Sequence, residues 1–343
     1  MTAPVDPVVE WYDHTARAVA LSGVTSPPEA SRIWAVTWLA ARRAVRDARR
    51  GRAVPAALVT AVQSVLETLV PAAAPPLAGA AAASLDRLGR EQLIARRAVA
   101  RGVDAGRLAA DDVLAERSDD GPHPAAWRPY LIASPNHVAP DPPPGPEHPD
   151  YARDLAEVRT LGAADSVART ADQTEVARFW AQPSLSIYTA ATRASLAGLD
   201  ASIAERVELV TVLHVVTLDA QIVGYAAGER HPRWRPGRAL GGPARNGWTP
   251  LIQPEPAEPE FPCLHTTYCG AAEVVLTALA GHPSAVPLRL GPRTYTDWRQ
   301  LTAECVDAGV WGGLHLRTST AAGAALGRRV AFRGLSRWSG HSV

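Results

Sequence analysis

EFPCLHTTY, the sequence from Glu260 to Tyr268, joins a proline-rich loop to an apolar helix. The loop covers residues 250–262, and the run that starts at Thr266 has the apolar spacing of a buried helix. Free backbone N–H groups and the positive end of the helix dipole meet at such a junction. His265 therefore lies where an anion, or a proton-transfer group beside one, is favoured. The alternative is an ordinary loop-to-helix corner with a packed histidine.

The apolar residues of the remaining chain recur with helical spacing, and no segment shows the alternation typical of strands. The predicted helices are 27–41, 55–69, 76–88, 90–117, 150–161, 171–197, 202–227 and 266–280. The fold class is therefore predicted to be all-α, most simply two helical bundles packed together. The helix at 202–227 contains His214, which we interpret as a satisfied core histidine.

A segment rich in proline, glycine, aspartate and histidine, residues 119–150, interrupts these helices. It predicts a long ordered connection between an N-terminal helical bundle, 1–118, and a C-terminal helical bundle, 151–343, that carries the active site. One compact unit is the alternative.

Composition limits the possible functions of this chain of 343 residues. The net charge of +1 argues against nucleic acid or an anionic membrane as a partner. All 35 basic residues are arginine, which excludes Schiff-base chemistry and a lysine phosphate clamp. Three cysteines without a CxxC pair, an N-terminus without signal-peptide features and apolar runs too short to span a bilayer predict a soluble, cytoplasmic protein. We expect a small-molecule substrate as partner, and a homodimer is left open.

Three segments resemble the oxyanion site of vanadium-dependent haloperoxidases and type 2 phosphatidic acid phosphatases. Arg235-Pro236, which follows the helix with Asp219-Ala220, resembles the first anion-site segment of that superfamily. Residues 261–265, FPCLH, resemble its Pro-Ser-Gly-His segment, and Glu304 followed by GVWGGLH at 309–315 resembles its Ser-Arg-x-x-Gly-x-x-His segment. Further similar stretches extend the resemblance to nearly the whole chain: 27–32, 117–121, 157–162, 169–170 and 179–180.

The resemblance implies two helical bundles of the vanadium haloperoxidase type, with vanadate or phosphate held in a cradle between helices. In that superfamily a lysine and two arginines neutralise the oxyanion, and a serine hydroxyl and a glycine N–H hydrogen-bond it. By position, Arg235 is the first arginine of the cradle, His265 transfers protons, and His315 attaches to the oxyanion or acts as a nucleophile.

The cradle departs from this pattern at four positions. Gly228 stands in place of the lysine, Cys263 and Leu264 replace the serine and the glycine, and Gly309 replaces the second arginine. Each lost ion pair is worth about 4 kcal/mol at an effective dielectric constant of about 20, so tight vanadate binding is not expected. The two glycines predict a larger and less polar cavity. Three long arginine side chains could restore charge: Arg230, Arg238 and Arg317.

The groups that remain favour acid–base chemistry on an apolar substrate. His265 and His315 can exchange protons near neutral pH, and Arg235 can polarise a carbonyl or hold an anionic group. The candidate substrate-binding residues are Trp234, Trp311, Tyr225 and Cys263. The three aromatic rings can line a pocket and stabilise a carbocation, or they can simply pack in the core. The thiol is either activated or a small buried replacement for serine.

We therefore predict a divergent haloperoxidase-like enzyme, independent of vanadium, that rearranges, isomerises or cyclises an apolar natural product in secondary metabolism. An isoprenoid or terpenoid diphosphate is one such substrate, and it would require a divalent metal such as Mg²⁺; otherwise no cofactor is expected. Two alternatives are a vanadate-dependent haloperoxidase that uses peroxide and halide and a catalytically inactive binding protein.

Overall fold

The computed structural model describes residues 5–48, 51–90, 96–242, 247–283 and 287–340. Within these residues the chain is 69% helical, with 13 α-helices, so the all-α prediction is confirmed. The only strands among them, β1 (Leu288–Leu290) and β2 (Arg293–Tyr295), form an antiparallel hairpin. The prediction of helices throughout was wrong there, because a strand of three residues is too short to show alternation.

Two compact units are distinguishable, one of Met1–Asp120 with Thr189–Val215 and one of Gly121–Tyr188 with Val216–Val343. Five helices lie wholly in the first unit: α1 (Pro7–Leu21), α2 (Pro27–Asp47), α3 (Val54–Leu69), α4 (Ala74–Arg90) and α5 (Arg96–Glu116). In its core the ring of His214 stacks on Trp34 with centroids 4.4 Å apart, and burial lowers the pKa of His214 to about 3. This is the environment of a core histidine.

The second unit contains the segments singled out by sequence. Six helices lie wholly in it: α6 (Pro149–Leu161), α7 (Ala171–Phe179), α10 (Pro236–Ala239), α11 (Leu264–Leu279), α12 (Trp298–Trp311) and α13 (Arg317–Gly340). Two further helices contribute residues to both units: α8 (Ser184–Gly198) and α9 (Ile203–Arg230). The predicted division at 118 and 150 stays a prediction. It differs from these units at 189–215, where, for example, Thr211 Oγ1 donates to the Trp38 carbonyl at 2.8 Å.

Two predicted helices differ from the observed ones. The single helix predicted at 171–197 was wrong, because α7 ends at Phe179 and α8 begins after Pro183. Proline has no N–H to donate, and its ring clashes with the carbonyl four residues earlier in a continuous helix. Of the helix predicted at 90–117, residues 96–116 form α5, whereas residues 91–95 lie outside the described residues.

Helix α9 is long and apolar enough to cross a membrane by length and composition alone, so the prediction that the apolar runs are too short was wrong. However, 94% of its most apolar window is buried inside the protein. That degree of burial is typical of a core helix.

Helices α11 and α13 pack closely against each other, and their N-terminal ends lie side by side. A Cβ atom on Gly327 would overlap the Thr267 carbonyl, so this approach requires glycine. At the helix starts, the Cys263 amide donates to the Ser319 carbonyl at 3.0 Å. The junction in EFPCLHTTY therefore lies next to the segment that contains His315.

Candidate active site

Arg235, the residue that precedes α10, contacts His315 although 80 residues separate them. Its Nη1 donates to the Leu314 carbonyl at 2.9 Å and lies 3.2 Å from His315 Nε2, and its Nη2 donates to the Glu258 carbonyl at 2.6 Å. Arg235 is buried. Its guanidinium group is therefore held by protein carbonyls and points its charge at the histidine.

Glu260 holds the other side of the His315 ring. His315 Nδ1 donates to the Glu260 carbonyl at 2.9 Å and lies 3.8 Å from the Glu260 carboxylate. That carboxylate is fully buried and accepts from the Leu316 amide at 2.9 Å and from Ser319 Oγ at 2.8 Å. Glu260 opens the EFPCLHTTY stretch but was not predicted as a site residue, because nothing local indicated that its side chain turns inward.

Cys263 is the N-cap residue of α11, is buried, and lies beside the His315 side chain. Burial alone would raise the pKa of the thiol, but the charge and hydrogen bond of His315, with Thr266, lower it overall. Burial would also lower the pKa of His315, whereas Cys263 and Glu260 together raise it to about 9 against the opposing charge of Arg235. The Cys263 thiol and the His315 imidazole thus shift each other's pKa, that of the thiol downward and that of the imidazole upward.

His265, in the first turn of α11, has the opposite protonation preference. Its ring meets Trp180 edge-on with centroids 6.0 Å apart, and its Nε2 is buried with no hydrogen-bond partner among the described residues. Burial, followed by the charge of His315, lowers the pKa of His265 to about 4. A neutral ring with an unpartnered nitrogen can accept a proton at neutral pH.

The predicted aromatic residues lie in different surroundings. Trp234 is 57% exposed, carries the Arg238 guanidinium 4.6 Å from its ring centroid, and lines two cavities of about 650 and 410 Å³. Trp311 is half-buried, and its carbonyl accepts a hydrogen bond from Arg169 at 3.4 Å. Tyr225 is half-buried in α9. Thus Arg235, Cys263 and His315 are brought into contact, while the indole of Trp234 lies at the cavities; the roles predicted for these residues stay predictions.

The space beside two of the replaced cradle positions is filled. A Cβ atom on Gly228 would lie 2.5 Å from Pro259 Cβ, and one on Gly309 would lie 2.7 Å from Thr320 Cγ2. The expectation that these glycines enlarge the cavity was therefore wrong. Neighbouring side chains have closed in on each glycine, as close packing of protein interiors requires.

The charges of the site do not suit a multiply charged oxyanion either. The buried Glu260 carboxylate adds negative charge beside His315, and the Arg235 donors already bind carbonyls. The three arginines considered as replacements bind other partners: Arg230 binds Asn136, Arg238 stacks on Trp234, and Arg317 pairs with Glu157 and Asp307. The cradle positions predicted from the sequence therefore do not favour vanadate. Within the described part of the chain, no three His, Cys, Asp or Glu side chains are grouped to hold a metal ion.

Comparisons with known proteins support the fold. Residues 208–340 match the family model of the VCPO second helical-bundle domain. The chain is similar in structure to a bacterial vanadium-dependent iodoperoxidase, with a TM-score of 0.83, 18% identity and 98% coverage of both chains. It is also similar to a bacterial vanadium-dependent chloroperoxidase in its holo form, with a TM-score of 0.72, 13% identity and 94% coverage of both chains. No curated protein matches the chain in sequence. The predicted fold of the vanadium haloperoxidase type is confirmed.

Proposed function

We propose a function from the premise that residues 208–340 of this chain belong to the vanadium haloperoxidase superfamily and that the whole chain has its fold. The proposed enzyme works without vanadate and catalyses redox-neutral acid–base chemistry: rearrangement, isomerisation or cyclisation of an apolar natural product. The observation that carries this proposal is the pair His265 and His315, whose surroundings favour opposite protonation states. Such a separation of pKa values supports the assignment of one histidine as a base and the other as an acid.

In the proposed mechanism His265 is the general base and His315 is the general acid. The unpartnered Nε2 of His265 removes a proton from the substrate, and protonated His315 delivers one from its own Nε2. Glu260 fixes the ring of His315 through Nδ1. Arg235 Nη1, 3.2 Å from His315 Nε2, stabilises negative charge that develops on a substrate oxygen.

The alternatives are supported by different observations. The structural similarity to two vanadium-dependent haloperoxidases favours a vanadate-dependent haloperoxidase, but the filled space beside Gly228 and Gly309 and the charge of Glu260 oppose it. One observation favours a catalytically inactive binding protein: both terminal nitrogens of Arg235 already donate hydrogen bonds to backbone carbonyls. The diphosphate variant with Mg²⁺ has no ligand cluster to support it within the described residues.

The direct test is isotope exchange, which needs no knowledge of the product. The protein is incubated in D₂O with a panel of terpenoid and other apolar natural products, and mass spectrometry detects deuterium that enters carbon positions or a new isomer. Exchange that depends on the protein supports the acid–base proposal. If purified protein exchanges no member of a broad panel, the inactive binding protein becomes the better proposal.

Orthovanadate is expected not to bind in the micromolar range. The reason is that Pro259 and Thr320 fill the space beside two cradle positions and that Glu260 repels an anion. The measurement is a titration of the purified protein with orthovanadate followed by ⁵¹V NMR, with parallel assays of bromide and iodide oxidation by peroxide. Micromolar binding together with halogenation would restore the haloperoxidase alternative.

The proposed reaction is expected to show a bell-shaped pH dependence of kcat/KM with limbs near pH 4 and pH 9. As the pH falls through about 4, His265 gains a proton and no longer acts as a base. As the pH rises through about 9, His315 loses the proton that it must donate. In Cys263→Ser the alkaline limb should move to lower pH, because His315 loses a partner that raises its pKa. A single limb near pH 6.5, unchanged in Cys263→Ser, would show that neither histidine is perturbed.

A further inference from the structure

A cavity of about 410 Å³ in the second unit has mostly apolar walls and one buried cation. Prolines of the stretch 142–146, the ring of Tyr151 and the exposed indole of Trp234 form the walls, and Arg233 supplies the charge. The volume lies in the range of about 300–1,000 Å³ that is typical of small-molecule sites. Of the site residues predicted from sequence, Trp234 alone lines this cavity.

Arg233 is held on three sides, but its Nη1 has no hydrogen-bond acceptor among the described residues. Its side chain is only 8% exposed and lies 4.9 Å from the centroid of the Tyr151 ring. Its Nη2 donates to the Pro144 carbonyl at 3.1 Å. Its Nη1 is buried and has no hydrogen-bond partner among the described residues. A buried guanidinium group with an unmet donor is unfavourable unless an acceptor completes it.

The nearest anion to Arg233 is shared with other groups. Glu260 Oε2 lies 3.8 Å from Arg233 Nε, which is beyond hydrogen-bond distance, and it accepts from Ser319 Oγ at 2.8 Å instead. The cations Arg233 and Arg235 both lie against residues 258–260, and Glu260 is the buried carboxylate there.

We propose that this cavity binds the carboxylate group of a mostly apolar small molecule. Arg233 Nη1 binds the carboxylate, and the proline rings, Tyr151 and Trp234 pack against the apolar body. A single arginine among mostly apolar walls matches a monoanionic carboxylate better than a phosphate dianion. This binding site does not rest on the proposed reaction, because it uses other side chains. Glu260 is close to both the proposed binding site and the proposed active site, since its carboxylate lies 3.8 Å from Arg233 Nε and 3.8 Å from His315 Nδ1.

The test is calorimetric titration of the intact protein, in a buffer without carboxylates, with 4-phenylbutanoate, geranate and the corresponding uncharged amides. We expect each acid to bind at least about 10-fold more tightly than its amide, because only the acid forms a charge-assisted hydrogen bond. Arg233→Met is expected to weaken acid binding by about 10- to 100-fold and to leave amide binding unchanged. Equal affinity for acid and amide, or no binding of either at millimolar concentration, overturns the proposal.

Arg238→Met is the matched control, because Arg238 stacks on the same Trp234 ring but lines the neighbouring cavity. It should keep the preference for the acid, and an equal loss in both arginine variants contradicts the assignment. Trp234→Ala serves as a second variant, because this residue is 57% exposed and its truncation should leave the fold intact. Trp234→Ala is expected to weaken the binding of the acid and of the amide to a similar degree. If the affinity for both is unchanged, the ligand binds elsewhere and the proposal is wrong.

Discussion

His265→Ala is expected to lower kcat by about 100- to 10,000-fold in the isotope-exchange reaction, the usual contribution of a general base. Its free energy of unfolding should fall by no more than about 2 kcal/mol. The reason for the modest change is that Nε2 makes no hydrogen bond to any described residue, so truncation removes no polar partner from the fold. The measurements are the exchange rate at saturating substrate and chemical denaturation of the same preparations.

His315→Ala provides the comparison for this prediction. The rate should fall to a similar degree, but stability should fall further, because His315 Nδ1 donates to the buried Glu260 carbonyl. Exposed His123, on the surface of the second unit, offers a neutral control in His123→Ala. If both His265→Ala and His315→Ala retain the full rate on a substrate that the parent protein turns over, the acid–base mechanism is wrong.

Asp219→Ala is expected to lower the free energy of unfolding by about 3–5 kcal/mol. The Asp219 carboxylate is fully buried in α9 and accepts hydrogen bonds from the amides of Tyr130 at 2.7 Å, Leu131 at 2.6 Å and Ile132 at 3.2 Å. Truncation removes the acceptor from three amides at once, and each unmet buried donor costs about 1–3 kcal/mol. The measurement is denaturation by urea or guanidinium, followed by circular dichroism.

The matched variant is Asp219→Asn, which keeps the shape but retains only one acceptor oxygen. Its loss should be smaller than that of the alanine variant, because one side of the carboxylate is preserved. A loss below about 1 kcal/mol in Asp219→Ala would contradict the argument that this carboxylate anchors the segment 130–132.

Local patterns in the sequence were sufficient for most of the helices and for the family resemblance. Helical spacing of apolar residues is visible within a window of a few turns, so helices such as α2, α3 and α6 follow from it. The motif residues Arg235, His265 and His315 were identified in the same way, from short segments with characteristic neighbours. The break between α7 and α8 was also within reach, because Pro183 marks it.

Only the tertiary structure decided what surrounds these residues. Whether Gly228 and Gly309 open a cavity depends on Pro259 and Thr320, which approach each glycine from another segment of the chain. Burial lowers the pKa of both His265 and His315, and the shifts become opposite because Cys263 and Glu260 raise the pKa of His315 while the charge of His315 lowers that of His265 further.

Arg233, at the cavity of about 410 Å³, shows the same difference between what the local sequence indicates and what packing decides. The sequence places this arginine two residues before Arg235, and nothing in its local pattern separates it from the other arginines. Its apolar surroundings come from the proline stretch 142–146 and from Tyr151, which lie far away in sequence, and its Nη1 has no hydrogen-bond partner among the described residues. The sequence by itself therefore determined most of the helices and the candidate chemistry, since both depend on local spacing. Packing between distant segments decided the shape, charge and solvation of each site, because these depend on which groups meet in three dimensions.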